Sequence, residues 1–364
     1  MSKDVILDRY ARLYEIPYQL ARLGHDVRGF CLSYQNAEDG EWQHEAVPGH
    51  LHWESRSPGR LYLPGLAGYP HALLRRLHAF APDVLVGASD IPHVALTAWL
   101  AKRLRVPYAI DLYDNFEGFG QARIPGMVRL LRRAVRGAGL VTTTSEPLRE
   151  LVADAYAARG KVVSMPSTID KQVFHPRDRL ACRRALGLPE SGFLVGTAGG
   201  LYADKGVGVL YEAWNELAMQ LPEAHLVIAG PTDPDLPPPS GERVHSLGML
   251  SHEQVARLFA ALDLGVIYLR DTVFGRYCFP QKAYEMFACD LPVVAADIGV
   301  MGGLLSTMPQ ALYRADDPSD LVRAMMAMRE GPGKPDVVTR DWTEVVNGIE
   351  GELRILATRA GSSS

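Results

Sequence analysis

The 364-residue chain has only four cysteines, Cys31, Cys182, Cys278 and Cys289. They are too few and too scattered for a disulfide framework, and none forms a C-x-x-C pair of the zinc or redox kind. Reduced thiols in a cytosolic protein are expected, with Cys278 and Cys289 as packing groups. Long apolar runs are also missing. Residues 94–101 and 262–269 are among the most apolar stretches, far short of the roughly 20 residues that cross a bilayer. The opening Met-Ser-Lys-Asp-Val-Ile-Leu-Asp-Arg-Tyr has no apolar signal core, which argues against secretion. Neither sign of charge dominates: 38 basic and 42 acidic residues leave −4, so there is no global electrostatic case for nucleic acid. No repeat of 20–50 residues is visible.

What is present is ordinary globular composition, 47% hydrophobic and 22% charged, in a chain long enough for two domains. Apolar strand-like runs alternate with amphipathic stretches, the pattern of a parallel α/β protein. One series of strands falls at residues 27–32, 83–87, 108–111, 139–144 and 161–165. A second falls at 193–198, 224–229, 243–247, 264–269 and 292–296. The polar segment 170–179, containing Pro176, reads as the linker between them. Domains are expected at 1–172 and 173–340, followed at 341–364 by an amphipathic helix and a disordered tail. That helix fits a place on either domain. The proline-rich residues 231–239 read as a surface loop without chemistry. Two βα domains with facing strand ends would enclose a cleft, a favoured position for a small-molecule site.

Two segments carry the chemistry. Gly196-Thr-Ala-Gly-Gly-Leu-Tyr-Ala-Asp-Lys-Gly206 follows a strand and precedes a helix. Gly199 and Gly200 permit close backbone approach by a ligand. Lys205 adds a charge near helix amides that favour anions, which suits a diphosphate. It is neither a Walker A loop nor a G-x-G-x-x-G fingerprint, and an ordinary βα turn with a solvated lysine is the plain alternative. In the second segment, Tyr277-Cys-Phe-Pro-Gln-Lys-Ala-Tyr-Glu285, Pro280 suits a first helical position and leaves the amides of Gln281 and Lys282 exposed. Glu285 lies one turn beyond Gln281, where a carboxylate can accept two ribose hydroxyls. A surface glutamate paired with Lys282 is the plain alternative here.

Gly-Gly-x4-Lys-Gly, followed by Pro-x-Lys-x-x-Glu-x-x-Ala-x-x-x-Pro-Val-Val-Ala, resembles the donor half of the family 4, group 1 glycosyltransferases of GT-B fold. Ile228-Ala-Gly230, Leu247-Gly248, Asp263, Val106-Pro-Tyr-Ala-Ile-Asp-Leu-Tyr-Asp114 and Pro166-Ser-Thr-Ile-Asp-Lys-Gln-Val-Phe-His-Pro176 extend the resemblance over nearly the whole chain. It implies two Rossmann-like, doubly wound domains facing an interdomain cleft, the first binding acceptor and the second a nucleotide sugar. Lys205 would contact the diphosphate and Glu285 the ribose. Gly199, Gly200 and the backbone of Phe279, Pro280, Gln281 and Lys282 would complete the cradle. The family generally retains anomeric configuration and needs no bound metal or other cofactor, the nucleotide sugar being a co-substrate.

The chain departs from the family's pattern at several points. Gly200 replaces a common arginine, Tyr277 the first glutamate of a Glu-x7-Glu pair, and Tyr113 a common histidine. Gly139 stands for an aspartate, and only residues 4–7 remain for the first strand. In the first domain, Asp114 would orient an acceptor hydroxyl and Glu117 assist. Tyr10, Glu15, His93 and Tyr113 are further acceptor candidates. Against these stand plainer readings: loop-capping carboxylates, and a histidine at a helix start.

Leu73-Leu-Arg-Arg-Leu77 and Met127-Val-Arg-Leu-Leu-Arg-Arg-Ala-Val-Arg136 are basic and amphipathic. Residues 1–176 carry +3 and the remainder −7, which suits an acceptor domain resting on the anionic inner face of a membrane. A solvated helix face is the alternative. The expected activity is transfer of a sugar from a nucleotide-diphosphate sugar to a glycan or lipid acceptor. Gly200 and Tyr277 keep a non-catalytic, glycosyltransferase-like binding subunit as the second reading. A nucleotide-sugar epimerase of the same architecture is the third.

Overall fold

The computed structural model describes residues 5, 6, 9, 12–33, 39–57, 62–337 and 340–361. The chain divides into two compact units, Met1–Ser167 with Trp342–Ser364, and Thr168–Asp341. The first segment thus ends at Ser167 rather than at 172. The stretch expected to be a linker belongs to the second unit, because Ile169 and Phe174 are buried in that unit's core and Arg177 pairs with Glu253 at 2.8 Å.

The first unit contains strands β1 (Asp26–Leu32), β2 (Gly40–His44), β3 (His50–Arg56), β4 (Leu85–Gly87), β5 (Tyr108–Leu112), β6 (Leu140–Thr143) and β7 (Lys161–Ser164). Its helices are α1 (Arg12–Arg22), α2 (Tyr62–Phe80), α3 (Ile91–Leu104), α4 (Met127–Gly137) and α5 (Glu146–Asp154). Strands β4-β5-β6-β7 form a parallel sheet whose β6 residues are all buried, as expected where helices cover both faces. A second sheet has the order β1-β3-β2, with β3 parallel to β1 and antiparallel to β2.

The β2–β3 hairpin is absent from the sequence reading. His50-Leu-His-Trp-Glu54 alternates polar and apolar residues, the period of a half-buried strand, and is the signal that could have found it. The strand expected over residues 4–7 is corrected at Val5 and Ile6, which form a turn; Asp4 and Leu7 lie outside the described residues. Among the described residues, β1 and β4 each have one paired neighbour, and both border a cavity of about 1210 Å³.

The C-terminal helix, Trp342–Gly361, belongs to this unit rather than forming a third segment. Val345, Val346 and Ile349 pack with Ile16 and Met165, and Glu350 meets His25 at 2.9 Å. Gly139 lies beneath it. A β-carbon there would fall 2.3 Å from Leu356 Cδ1, so a larger residue would make that methyl shift.

The second unit has six parallel strands: β8 (Phe193–Ala198), β9 (Ala224–Ala229), β10 (Val244–Ser246), β11 (Leu264–Ile267), β12 (Val293–Ala296) and β13 (Leu312–Tyr313). Between and around them lie α6 (Arg179–Ala185), α7 (Val207–Gln220), α8 (His252–Ala261), α9 (Val273–Tyr277), α10 (Gln281–Ala288), α11 (Gly299–Leu304) and α12 (Pro318–Glu330). The sheet order is β10-β9-β8-β11-β12-β13. This is the Rossmann order, which reverses between β8 and β11; ligands of such sheets sit at the carboxyl ends of the strands flanking that reversal. No described helix is long and apolar enough to cross a membrane.

Candidate active site

In the second unit the glycine loop leaves the carboxyl end of β8. Gly199 has φ +112°, a conformation a side chain would strain, and a β-carbon on it would lie 3.3 Å from Cε of Lys282. The loop is braced from an unexpected side. Leu201 N–H donates to Pro231 O at 2.9 Å, Asp233 N–H donates to Leu201 O at 3.0 Å, and Ala203 N–H donates to Asp233 Oδ2 at 3.1 Å. The proline-rich segment, a surface loop as expected, thus also fixes the glycine loop. The hydrogen bonds from Ala203 and Asp235 hold the Asp233 carboxyl below its usual range.

Lys205 ends a short 3₁₀ turn, Ala203–Lys205, and Gly206 at φ +95° then starts α7. Its ammonium sits 3.8 Å from the centroid of the Phe274 ring, a cation–π contact on the mouth of the sheet.

Helix α10 starts after Pro280. Gln281 N–H donates to Phe279 O at 2.9 Å and Ala283 N–H to Pro280 O at 2.9 Å. The Gln281 amide, expected to be exposed, is therefore engaged by the turn that starts the helix. Phe279 stacks on Tyr284 with centroids 4.6 Å apart. Glu285 is buried and accepts from Gln281 Nε2 at 3.2 Å; the same amide donates to Thr168 O at 3.2 Å. A surface Glu285–Lys282 pair is thus not what forms. Lys282 instead points across the sheet: Nζ donates to Thr197 Oγ1 at 3.3 Å and lies 4.7 Å from the Tyr268 ring centroid. Tyr268 Oη in turn donates to Gly200 O at 3.0 Å. Desolvation lowers the Lys282 pKa to about 8, with the Glu285 charge partly offsetting it. Sequence spacing placed Lys282 in the cradle through its backbone, and the structure brings its side chain there.

In the first unit the candidates sit after β4 and β5. Asp90, which the sequence reading did not single out, caps α3: Oδ1 accepts from His93 N–H at 3.0 Å and pairs with His93 Nδ1 at 2.6 Å. Gln121 Nε2 reaches its other oxygen at 3.3 Å. Burial alone would raise the Asp90 pKa, but the His93 contacts outweigh it and bring the value to about 2. His93 is thus a helix-start residue held by a carboxylate. Tyr113 Oη donates to Ser89 O at 2.8 Å, and burial raises its pKa. Asp114 accepts from Asn115 N–H at 2.7 Å. Glu117 forms a bidentate pair with Arg132, at 2.7 and 3.1 Å. Glu15 accepts from Gln19 Nε2 at 3.0 Å. Tyr10 lies outside the described residues.

The largest feature missed in sequence is an ion pair at the carboxyl ends of β5, β6 and β7. Arg12 and Asp111 are 3% and 2% exposed. Arg12 Nε donates to both Asp111 oxygens at 2.9 Å, its other nitrogens reach Asp111 Oδ1 and Met165 O, and Thr142 Oγ1 donates to Asp111 Oδ1 at 2.6 Å. The available signal was an aspartate inside the apolar run Ala109-Ile-Asp-Leu112, which a buried strand tolerates only with a partner. Cys278 and Cys289 are buried free thiols, and burial pushes Cys289 up to about 12. Among the described residues, no three His, Cys, Asp or Glu side chains are placed to hold a metal ion.

Comparison with known proteins finds matches for both halves of the chain. Residues 11–168 match the glycosyl transferase 4-like domain and residues 192–330 the glycosyl transferases group 1 domain. A D-inositol 3-phosphate glycosyltransferase of Stackebrandtia nassauensis is 30% identical over 256 residues, covering 65% of this chain and 54% of that protein. The chain thus spans about half the length of the curated relatives it matches. Among solved structures, sucrose-phosphate synthase from Thermosynechococcus elongatus superposes with TM-score 0.68 at 19% identity, over 97% of this chain and 93% of that one. Anabaena HepE in complex with UDP-glucose superposes with TM-score 0.59 at 21% identity, over 85% of each chain. At these identities the two structures establish the fold. The chain belongs to the family 4, group 1 glycosyltransferases and has their α/β GT-B fold of two Rossmann-like domains.

Proposed function

We propose that this chain is a retaining, metal-independent glycosyltransferase that moves a sugar from a nucleotide-diphosphate sugar to a glycan or lipid acceptor. The observation that carries the reading is the convergence at the β8/β11 reversal, where the Gly199–Gly200 loop is linked through Tyr268 to Lys282. Similarity to a D-inositol 3-phosphate glycosyltransferase, and to a structure that holds UDP-glucose, supports a nucleotide sugar as donor.

Lys205, Lys282 and the loop backbone meet the diphosphate in this reading, while Glu285, oriented by Gln281, accepts the ribose hydroxyls. The bond from the anomeric carbon to the diphosphate oxygen breaks as the acceptor oxygen bonds on the same face. The acceptor's proton passes to the departing phosphate, so no protein nucleophile is required. Negative charge grows on the diphosphate along this path, and fixed cations aimed at it stabilise the transition state. Asp114 is assigned to orienting the acceptor hydroxyl, and the Arg132 pair makes Glu117 a positioning carboxylate beside it.

Three exposed arginines on α4, Arg129, Arg133 and Arg136, stand near Ile124 and Leu130, which are 56% and 48% exposed. They support peripheral contact of this face with an anionic membrane. Next to Leu73 and Leu77, which are buried, Arg76 pairs with Glu54 and Glu41, leaving Arg75 to that role.

Calorimetric titration of UDP and GDP tests the donor assignment. Glu285→Ala and Lys205→Ala are each expected to weaken the preferred nucleotide roughly tenfold, the scale of a charge-assisted hydrogen bond. Wild-type affinity in both variants would remove the site, and sustained turnover with any nucleotide sugar would exclude a binding-only role.

A further inference from the structure

We propose that Lys282, reaching over from α10, is the principal cation for the donor's diphosphate, ahead of Lys205 in the glycine loop. The inference rests on the reading above that the second unit holds a nucleotide diphosphate.

Position is the first reason. The Lys282 ammonium is tied to Thr197 on β8 and lies against Tyr268, the residue after β11. It therefore occupies the mouth between the two strands where the sheet order reverses, the point at which such sheets receive pyrophosphate. Gly199 lies within van der Waals reach of the lysine stem, and any side chain there would crowd it. The loop and the amine thus form one surface.

Partnering is the second. Among the described residues the ammonium has one hydrogen bond, the 3.3 Å contact with Thr197 Oγ1, and no ion pair. An ammonium has three donors, and a crowded cation with one weak neutral acceptor leaves most of that capacity for an anion. The residue keeps partial solvent access, so a ligand can reach it. Lys205 stands on the loop itself: its ammonium lies 3.8 Å from the centroid of the Phe274 ring on α9, and it leads into a glycine cap at the start of α7. Among the described residues it makes no contact with Thr197 or Tyr268, the pair that holds Lys282.

Electrostatics agrees. Crowding lowers the amine to about 8, Glu285 on its own helix offsets part of that, and burial keeps the neighbouring Tyr268 phenol neutral. A diphosphate arriving beside this amine restores full protonation. Binding near pH 8 should therefore take up close to half a proton and weaken as pH rises further, because the free amine loses its charge first.

The test is calorimetry of the full chain with UDP, GDP and the bare nucleosides uridine and guanosine. Lys282→Met keeps the stem and removes the charge; Lys282→Arg restores charge without a titrating amine. For the preferred diphosphate, Lys282→Met should lose about 30- to 100-fold, near the top of the range for a charged hydrogen bond. Lys205→Ala should lose roughly tenfold or less, and nucleoside binding should change under about threefold. In buffers of different ionisation enthalpy at pH 8, wild type should show proton uptake and Lys282→Arg none. If wild type binds a diphosphate while Lys282→Met binds within about threefold of it, or Lys205→Ala costs more, the assignment of Lys282 fails and the donor reading stands. Failure of wild type to bind either diphosphate would instead sink the donor reading.

Discussion

Removing one member of the Arg12–Asp111 pair should unfold the first unit well before the second. Arg12→Met keeps most of the stem volume but leaves a carboxylate, 2% exposed, with only Thr142 for company. The Met165 carbonyl also loses a donor. Deleting one partner of a buried ion pair costs about 3–5 kcal/mol, because the remaining charge stays desolvated and unpaired. In a unit of this size each kcal/mol moves the midpoint about 2–4 °C, so the expected drop is roughly 6–20 °C. Both residues, and the tryptophans Trp42, Trp53, Trp99 and Trp342, lie in that unit, leaving Trp214 in the other. Thermal unfolding followed by tryptophan fluorescence therefore reports mainly the affected unit, and Trp214 alone should hold its wild-type midpoint. Adding Asp111→Val to Arg12→Met removes the stranded charge and should recover about 1–3 kcal/mol. A drop under about 2 °C for the single variant, or a double variant no better than the single, would refute the reasoning.

Asp90 gives a pH dependence. Its folded pKa lies at about 2, below the ordinary 3.8, so its contribution is complete above about pH 4 and is lost as pH falls toward 2. The difference is worth about 2 kcal/mol, and urea titrations between pH 5 and 2.5 should show that part of the slope vanish in Asp90→Asn. An unchanged slope would mean that the His93 contacts do not hold the carboxyl down. For the α4 face, co-sedimentation with phosphatidylglycerol vesicles should be strong at low salt and fade as ionic strength rises. The triple variant Arg129→Gln, Arg133→Gln, Arg136→Gln should sediment no more than with neutral vesicles; undiminished binding would exclude this face.

The second unit was the more legible half, for a physical reason. Its strands β8 and β9 are apolar runs bounded by turn residues, and the structure forms them over the expected residues, Phe193–Ala198 and Ala224–Ala229. Helix α10 likewise starts directly after Pro280 and carries Glu285 one turn beyond Gln281, as the spacing predicted. The first unit was harder, since β2 and β3 are short and contain no Val, Ile or Thr, so only the polar–apolar alternation of His50–Glu54 marked them. The glycine loop and Glu285 could be picked out because spacing along one strand end and one helix face is local. The Asp233 brace and the Arg12–Asp111 pair could not, because their partners are 30 and 99 residues apart.

The amino-acid sequence by itself determined the α/β class, the order of the elements, the glycine–lysine turn and the helix bearing Glu285. Each depends on hydrophobic period or backbone preference within a few residues. Tertiary structure alone decided that the final helix completes the first unit, that Gly139 lies against Leu356, and that the Lys282 amine stands at the reversal of the sheet. Those outcomes depend on which surfaces are close enough to exclude water and each other's side chains, and chain order carries no record of that distance.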